Sequence, residues 1–313
     1  VQLASLFCFF MLLVPTAQAA PNDTMRNYPV SQVAPGTYVM HGPLGDPSVA
    51  NQGFMNNPAW IIAGDQVVVI DPGSSVQAGR RVVKEIKRTT SLPVTTVFDT
   101  HFHGDHWLGN QAILDAWPKA VVMAQTSMVA WAATAAPQSW VERLSNMTQG
   151  YTDGTRAVLP TIALKDGEQL RIGNRRFTFH APLIAHSKTD LMIEVDNGVL
   201  FTGDIVLNRR VAMMDDGSFE GDIKAIDSAL ALPVKVVVPG HGASGGRELL
   251  TAQRDYLQTL TTAVKAQYDL GKSDYEMKPE VIRQLARFKD WSGFDEAIGK
   301  QISLVVLELE QSF

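Results

Sequence analysis

The sequence predicts a layered α/β domain, and three observations predict it. Short apolar runs alternate with an amphipathic helical pattern from Thr37 to Ala124. A second ladder of strand-like runs follows between Gln169 and Val238, and helical periodicity closes the chain. No linker and no short-period repeat divides the sequence, so one domain is expected over residues 21–313.

The elements follow in order. Asn22 to Pro35 is polar and proline-containing and reads as an extended lead-in. Thr37 to His41 and Ala59 to Ala63 read as short strands, and Gln66 to Ile70 as a buried strand stopped by Asp71-Pro72-Gly73. Val82, Val83 and Ile86 share one face of a helix predicted from Arg80 to Arg88. Val94 to Phe98 is the next strand, followed by a polar loop, a short helix from Gln111 to Trp117 and a strand from Ala120 to Ala124. Residues 126–160, rich in Ala, Trp, Met and Gln, break the rhythm and read as a helical insertion with a loop. Strands resume at Gln169 to Ile172 and Arg175 to His180. Leu191 to Val195 and Val199 to Phe201 flank Asp196-Asn197-Gly198, a hairpin signal. Val234 to Val238 is the last strand and ends at Pro239-Gly240-His241-Gly242. Residues 246–313 read as helices. Leu257, Leu260, Val264 and Tyr268 keep helical spacing before Gly271, Ser273 with Glu276 resembles a capping box, and Ile298, Ile302, Val305 and Leu309 form a final stripe.

Composition narrows the function classes. The net charge is −5 and no dense basic run occurs, which argues against a nucleic-acid partner. Leu3 to Val14 is almost wholly apolar and leads into Pro15-Thr16-Ala17-Gln18-Ala19. Although no basic residue precedes it, residues 1–20 are expected to be a secretory signal cleaved near Ala19 or Ala20. The apolar run is short for a bilayer span, so no membrane attachment is expected after cleavage, and the periplasm is the expected location. The only cysteine, Cys8, lies in this segment, which leaves the mature chain no thiolate ligand.

His101-Phe102-His103-Gly104-Asp105-His106 packs three imidazoles and a carboxylate into six positions. These are donors that borderline-soft divalent metals prefer. The run reads as a tight loop between a strand and a helix. His186, Asp204 and His241 each sit just beyond a predicted strand end. Strand ends on one edge of a sheet converge, so these loops can build one site.

With Asp71-Pro72-Gly73, His101-x-His103-x-Asp105-His106, Ala185-His186-Ser187, Gly203-Asp204 and Gly240-His241-Gly242, in that order, the chain resembles the metallo-β-lactamase superfamily. Asn51-Gln52-Gly53, Gly109-Asn110 and the helical C-terminal region resemble its secreted branch of quinoprotein relay system zinc metallohydrolases. The resemblance implies a four-layer αβ/βα sandwich and two zinc ions, with iron or manganese left open. His101, His103 and His186 would hold the first ion, and Asp105, His106 and His241 the second. Asp204 would bridge them with a water or hydroxide that attacks an ester, thioester, lactone or amide of a small molecule. Asp105 would also orient that nucleophile. Rival readings are a β-lactamase, a mononuclear iron persulfide dioxygenase, and an accessory partner of a periplasmic quinoprotein. The bridging Asp204, and Ala185-His186-Ser187-Lys188 in place of a glyoxalase-like Gly-His-Thr, leave the substrate open.

Other residues have competing explanations. In the family, an acid at Asp71 holds the histidine loop from behind; a strand-ending turn explains it nearly as well. His180 and His41 read as structural. Trp131, Trp140, Met128, Met147 and Tyr151 fit either a substrate pocket or helix packing. Lys188 and Arg209-Arg210 suit a substrate carboxylate, but surface charge is the commoner explanation. Asn208 is a weaker candidate for an oxyanion donor.

Overall fold

The computed structural model describes residues 25–311, and the expected signal segment lies outside them. Seven strands form one sheet in sequence order: β1 (Val30–Ala34), β2 (Thr37–Met40), β3 (Ala59–Ala63), β4 (Gln66–Ile70), β5 (Val94–Asp99), β6 (Val121–Gln125) and β7 (Ile162–Leu164). The first four are antiparallel; from β4 onward the pairing is parallel. The second sheet runs β12-β11-β10-β9-β8, with β8 (Gln169–Ile172), β9 (Arg175–His180), β10 (Met192–Val195), β11 (Val199–Phe201) and β12 (Val236–Val238).

The apolar run of β4 explains the layering. A strand turns alternate side chains to opposite faces. Val68 and Ile70 enter a core shared by the two sheets, while Val67 and Val69 enter a core beneath helix α1 (Val76–Thr89). In the inter-sheet core Phe98 of β5 meets Phe177 and Phe179 of β9, with ring centroids 5.4 and 5.0 Å apart. α1 starts earlier than its apolar stripe suggests, because Ser75 caps it by accepting from the Ala78 N–H.

The histidine run is not wholly a loop. Gly104–Trp107 forms one helical turn, α2, ahead of α3 (Asn110–Ala116). The insertion holds α4 (Thr126–Ala132) and α5 (Ala136–Met147). Met128, Leu144, Trp131 and Trp140 pack there against Trp107 and Leu108. Gly104 has a steric reason: a Cβ at that position would stand 2.8 Å from the Trp140 Cβ.

Helices α6 (Phe219–Leu230), α7 (Glu248–Tyr268), α8 (Asp274–Gln284) and α9 (Phe294–Gln311) cover the outer face of the second sheet. The result is the helix–sheet–sheet–helix sandwich expected. The capping box of Ser273 and Glu276 forms, and Val195 pairs with Val199 across a three-residue turn whose Gly198 has φ 87°. Strands β1 and β7 and helix α6 are not anticipated by the sequence pattern. Among the described residues, no helix is long and apolar enough to cross a membrane.

Candidate metal centre

Topology brings the seven predicted residues together. β4 and β5 are parallel, so Asp71 and the His101 run leave the first sheet at the same edge. β9, β11 and β12 run in one direction, so the loops bearing His186, Asp204 and His241 leave the second sheet at one edge as well. The two edges face each other. His101, His103, His186 and Asp204 form one buried cluster, and Asp105, His106 and His241 form another.

The distances show how they interlock. His103 Nδ1 lies 3.0 Å from His101 Nε2 and 3.0 Å from His186 Nε2. In the second cluster His241 Nε2 is 3.2 Å from Asp105, and His106 Nε2 is 3.5 Å from it. Asp204 reaches both clusters, at 3.2 Å from His106, 3.2 Å from His241 and 3.8 Å from His186.

The outward-facing nitrogens fix the tautomers. His106 Nδ1 is 2.8 Å from Asp71 Oδ2, which can only accept, so its hydrogen points outward. Thr100 donates its hydroxyl to the same Asp71 oxygen and therefore accepts from His101 Nδ1, at 3.1 Å. His241 Nδ1 donates to the Met55 carbonyl at 2.8 Å, the nearer of its two neighbours, with the Arg210 guanidinium at 3.1 Å, and His103 Nε2 faces Asp216 at 3.5 Å. Four imidazoles thus turn bare nitrogen lone pairs toward the centre. That arrangement is repulsive unless a cation or protons lie between them.

Charge leads to the same conclusion. Burial lowers His186 to about 3, against the raising effect of Asp204, and burial with His106 and His103 nearby holds His101 well below the usual range. These imidazoles are neutral at pH 7. Burial also opposes the charge on His106 and His241, yet the Asp204 carboxylate and its neighbours outweigh it and raise both. Burial would push Asp204 and Asp105 up, but the same two histidines hold both carboxyls down. In the second cluster protons therefore occupy positions suited to a cation. His106 Nε2 and Asp204 Oδ1 are buried without an aligned hydrogen-bond partner.

The donor set fits zinc. Tetrahedral ligands at about 2.0–2.1 Å from an ion lie about 3.3 Å from each other. His103 Nδ1 already stands near that spacing from both His101 Nε2 and His186 Nε2.

A second ring of contacts holds the set. Asp71, at φ 48°, accepts from both the N–H and hydroxyl of Thr100 besides His106, so it supports the loop from behind. Gly73 and Gly109 tie the same loop together through their backbones. Asn57 donates to the carbonyls of Pro239 and Gly242, bracing the His241 turn. Asp190 accepts from the Ser187 N–H and hydroxyl beside His186, and burial pushes its carboxyl up to about 7. A Cβ on Gly240 would fall 1.9 Å from Asp204 Oδ1, so only glycine fits there.

The remaining candidates separate cleanly. Trp140 and Met147 line the cavity over the centre, whereas Met128 is buried in the insertion core and Trp131 packs on Phe102. Arg209 pairs with Asp290 on the surface, but Arg210 is buried, borders the cavity and reaches Asp46 at 3.1 Å. Lys188 is exposed, and Asn208 donates to the Ala243 carbonyl. His180 pairs with Glu194, and His41 with Ser244. Sequence reading missed Asp46, Asn57, Asp216 and Arg143, which lines the same cavity with its guanidinium over the Trp140 ring. No motif marks them, and only Asn57, beside the quoted Asn51-Gln52-Gly53, lies near a recognised signature.

The family model of the metallo-beta-lactamase superfamily matches residues 52–241. A hydroxyacylglutathione hydrolase of Prochlorococcus marinus (strain MIT 9303) is 25% identical over 193 residues, 59% of this chain. The match spans 62% of that relative's own length. The human acyl-coenzyme A thioesterase MBLAC2 is 27% identical over 217 residues, 61% of this chain and 75% of its own. A solved double mutant of the sec-alkyl sulfatase PisA1 shares the fold, with TM-score 0.71 and 17% identity over 90% of this chain and 50% of its own. The matched region runs from the loop before β3 to the last histidine and so takes in the whole cluster of inward-facing lone pairs: the chain belongs to the metallo-beta-lactamase superfamily.

Proposed function

We propose that this protein is a two-zinc hydrolase of carboxylic thioesters or esters, with lactones and amides as further substrates of the same chemistry. The observation that carries the reading is the convergence of five imidazoles and two carboxylates in two buried clusters that Asp204 joins, four of the imidazoles with a lone pair turned inward. His101, His103 and His186 would hold one ion, Asp105, His106 and His241 the other, and Asp204 both. The matches to hydrolases of thioesters support placing thioesters first.

Bound there, a zinc pair supplies Lewis acidity and brings the pKa of water near neutrality. The chain's own residues do the rest. Asp105 and Asp204, both buried, are placed to orient attacking water and accept its proton. Asp71, Met55 and Asp216 keep the imidazoles in the ligating tautomer. Trp140, Leu144 and Met147 form an apolar wall that shields the reacting carbonyl from bulk water. An intact ligand set favours catalysis over an accessory role beside a quinoprotein. Export to the periplasm belongs to the proposal and rests on the N-terminal sequence.

Elemental analysis run beside a panel of thioesters, esters, lactones and nitrocefin tests this. Two zinc per chain with thioester turnover is expected, and Asp105→Ala should abolish turnover while the far-ultraviolet circular dichroism is kept. One iron per chain, or full activity in Asp105→Ala, would sink the mechanism.

A further inference from the structure

The cavity directly over the centre measures only about 70 Å³. Pockets for small-molecule ligands span about 300–1,000 Å³. It has room for the reacting group and little else. A second cavity of about 370 Å³ adjoins it, and the two share Asp46, Arg210 and Met213. This neighbour runs between the segment after β11 and helix α9, where Val211, Met214, Ala297 and Leu304 line it. Its two cations are already matched, Arg210 by Asp46 and Lys300 by Asp215. An anionic arm entering it would have to break one of those pairs and would face the Glu296 carboxylate as well; an alkyl chain would not. Met213, half exposed at the junction, is unbranched and flexible enough to swing aside.

We infer that the α9 cavity is the binding site for a long, uncharged acyl chain of the substrate, with the Arg210–Asp46 pair and Met213 as its threshold. The inference rests on the hydrolase reading and names its substrate class: a thioester or ester of a medium- or long-chain acid. The small cavity takes the carbonyl and the α9 cavity takes the tail.

The test uses a non-hydrolysable probe, so binding is read apart from turnover. S-decyl-N-acetylcysteamine and its S-ethyl counterpart are titrated by calorimetry into metal-free and zinc-loaded protein. Wild type should bind the decyl probe at least tenfold more tightly, since each fully buried methylene is worth about fourfold. Ala297→Trp, which fills the cavity from α9, should erase that advantage and leave ethyl binding within twofold. Leu304→Asn should cut it too, should the tryptophan variant fail to fold. Turnover of p-nitrophenyl decanoate against acetate should follow the same pattern. Equal decyl and ethyl affinity in wild type, or an undiminished decyl preference in Ala297→Trp, overturns the inference. Decyl binding without turnover of any ester or thioester would instead sink the hydrolase reading and leave the chain site standing.

Discussion

Replacing Asp71 by Asn isolates one atom's worth of chemistry. Asp71 sits at φ 48°, a conformation asparagine tolerates, so the backbone should keep its shape. The carboxylate accepts three hydrogen bonds: Thr100 N–H at 2.8 Å, the Thr100 hydroxyl at 2.7 Å and His106 Nδ1 at 2.8 Å. An amide offers one accepting end. If that end serves the Thr100 N–H, its NH₂ meets the His106 Nδ1–H, donor against donor. Relief requires moving the His106 hydrogen to Nε2, the atom that faces the centre. The imidazole then cannot ligate without paying for a tautomer change. Losing such an outer partner lowers metal affinity by about 10–100-fold, or about 1.4–2.7 kcal/mol. Chelator-competition titration of zinc reads the affinity of the second site, and thermal denaturation of the metal-free protein controls for folding. A variant that binds both ions within twofold of wild type, with the fold intact, would refute the tautomer argument and reduce Asp71 to a turn residue.

Three further outcomes follow from the same geometry. Gly240→Ala drives a methyl group into Asp204, so it should abolish binding of both ions and lower Tm, read by elemental analysis and calorimetry. Asn57→Ala leaves the Pro239 and Gly242 carbonyls buried without a donor; urea unfolding should show a loss of about 1–3 kcal/mol. Zinc affinity should climb as pH rises through neutrality, because an entering ion must displace protons that His106 and His241 hold above the usual histidine range. His186, held near 3, releases none, so its contribution is flat. Calorimetry in two buffers of different ionisation enthalpy counts the released protons, and a pH-independent affinity would contradict the assignment.

Much of the site is legible in advance because its residues follow strand ends, and strands announce themselves by apolar runs. His186, Asp204 and His241 are found that way. The missed elements lack such a signal. β7 buries only Leu164 of its three residues, so no alternation marks it. The inner face of α6 carries Asp222 among Phe219, Ala225 and Ile226, and the carboxylate interrupts the apolar pattern. α2 is too short to show a period, and glycine at its first position argues against a helix; packing on Trp140 makes the turn. Arg209 and Arg210 look alike in sequence. Arg209 adopts φ 58°, and the chain reversal sends it to solvent while Arg210 turns inward.

The edge-on contact of Phe98 with Phe179 has a consequence beyond the core it fills. Phe98 lies at the end of the strand that leads to His101, and Phe179 at the end of the one that leads to His186. Each ring belongs to a different sheet, and so does each imidazole. The thickness of that aromatic contact therefore sets the gap between the two halves of the ligand cage. A smaller side chain at Phe98 would act as a change of calibre, moving one row of donors against the other although no donor was altered. Catalytic tolerance in this protein is held by hydrocarbon, one layer beneath the chemistry.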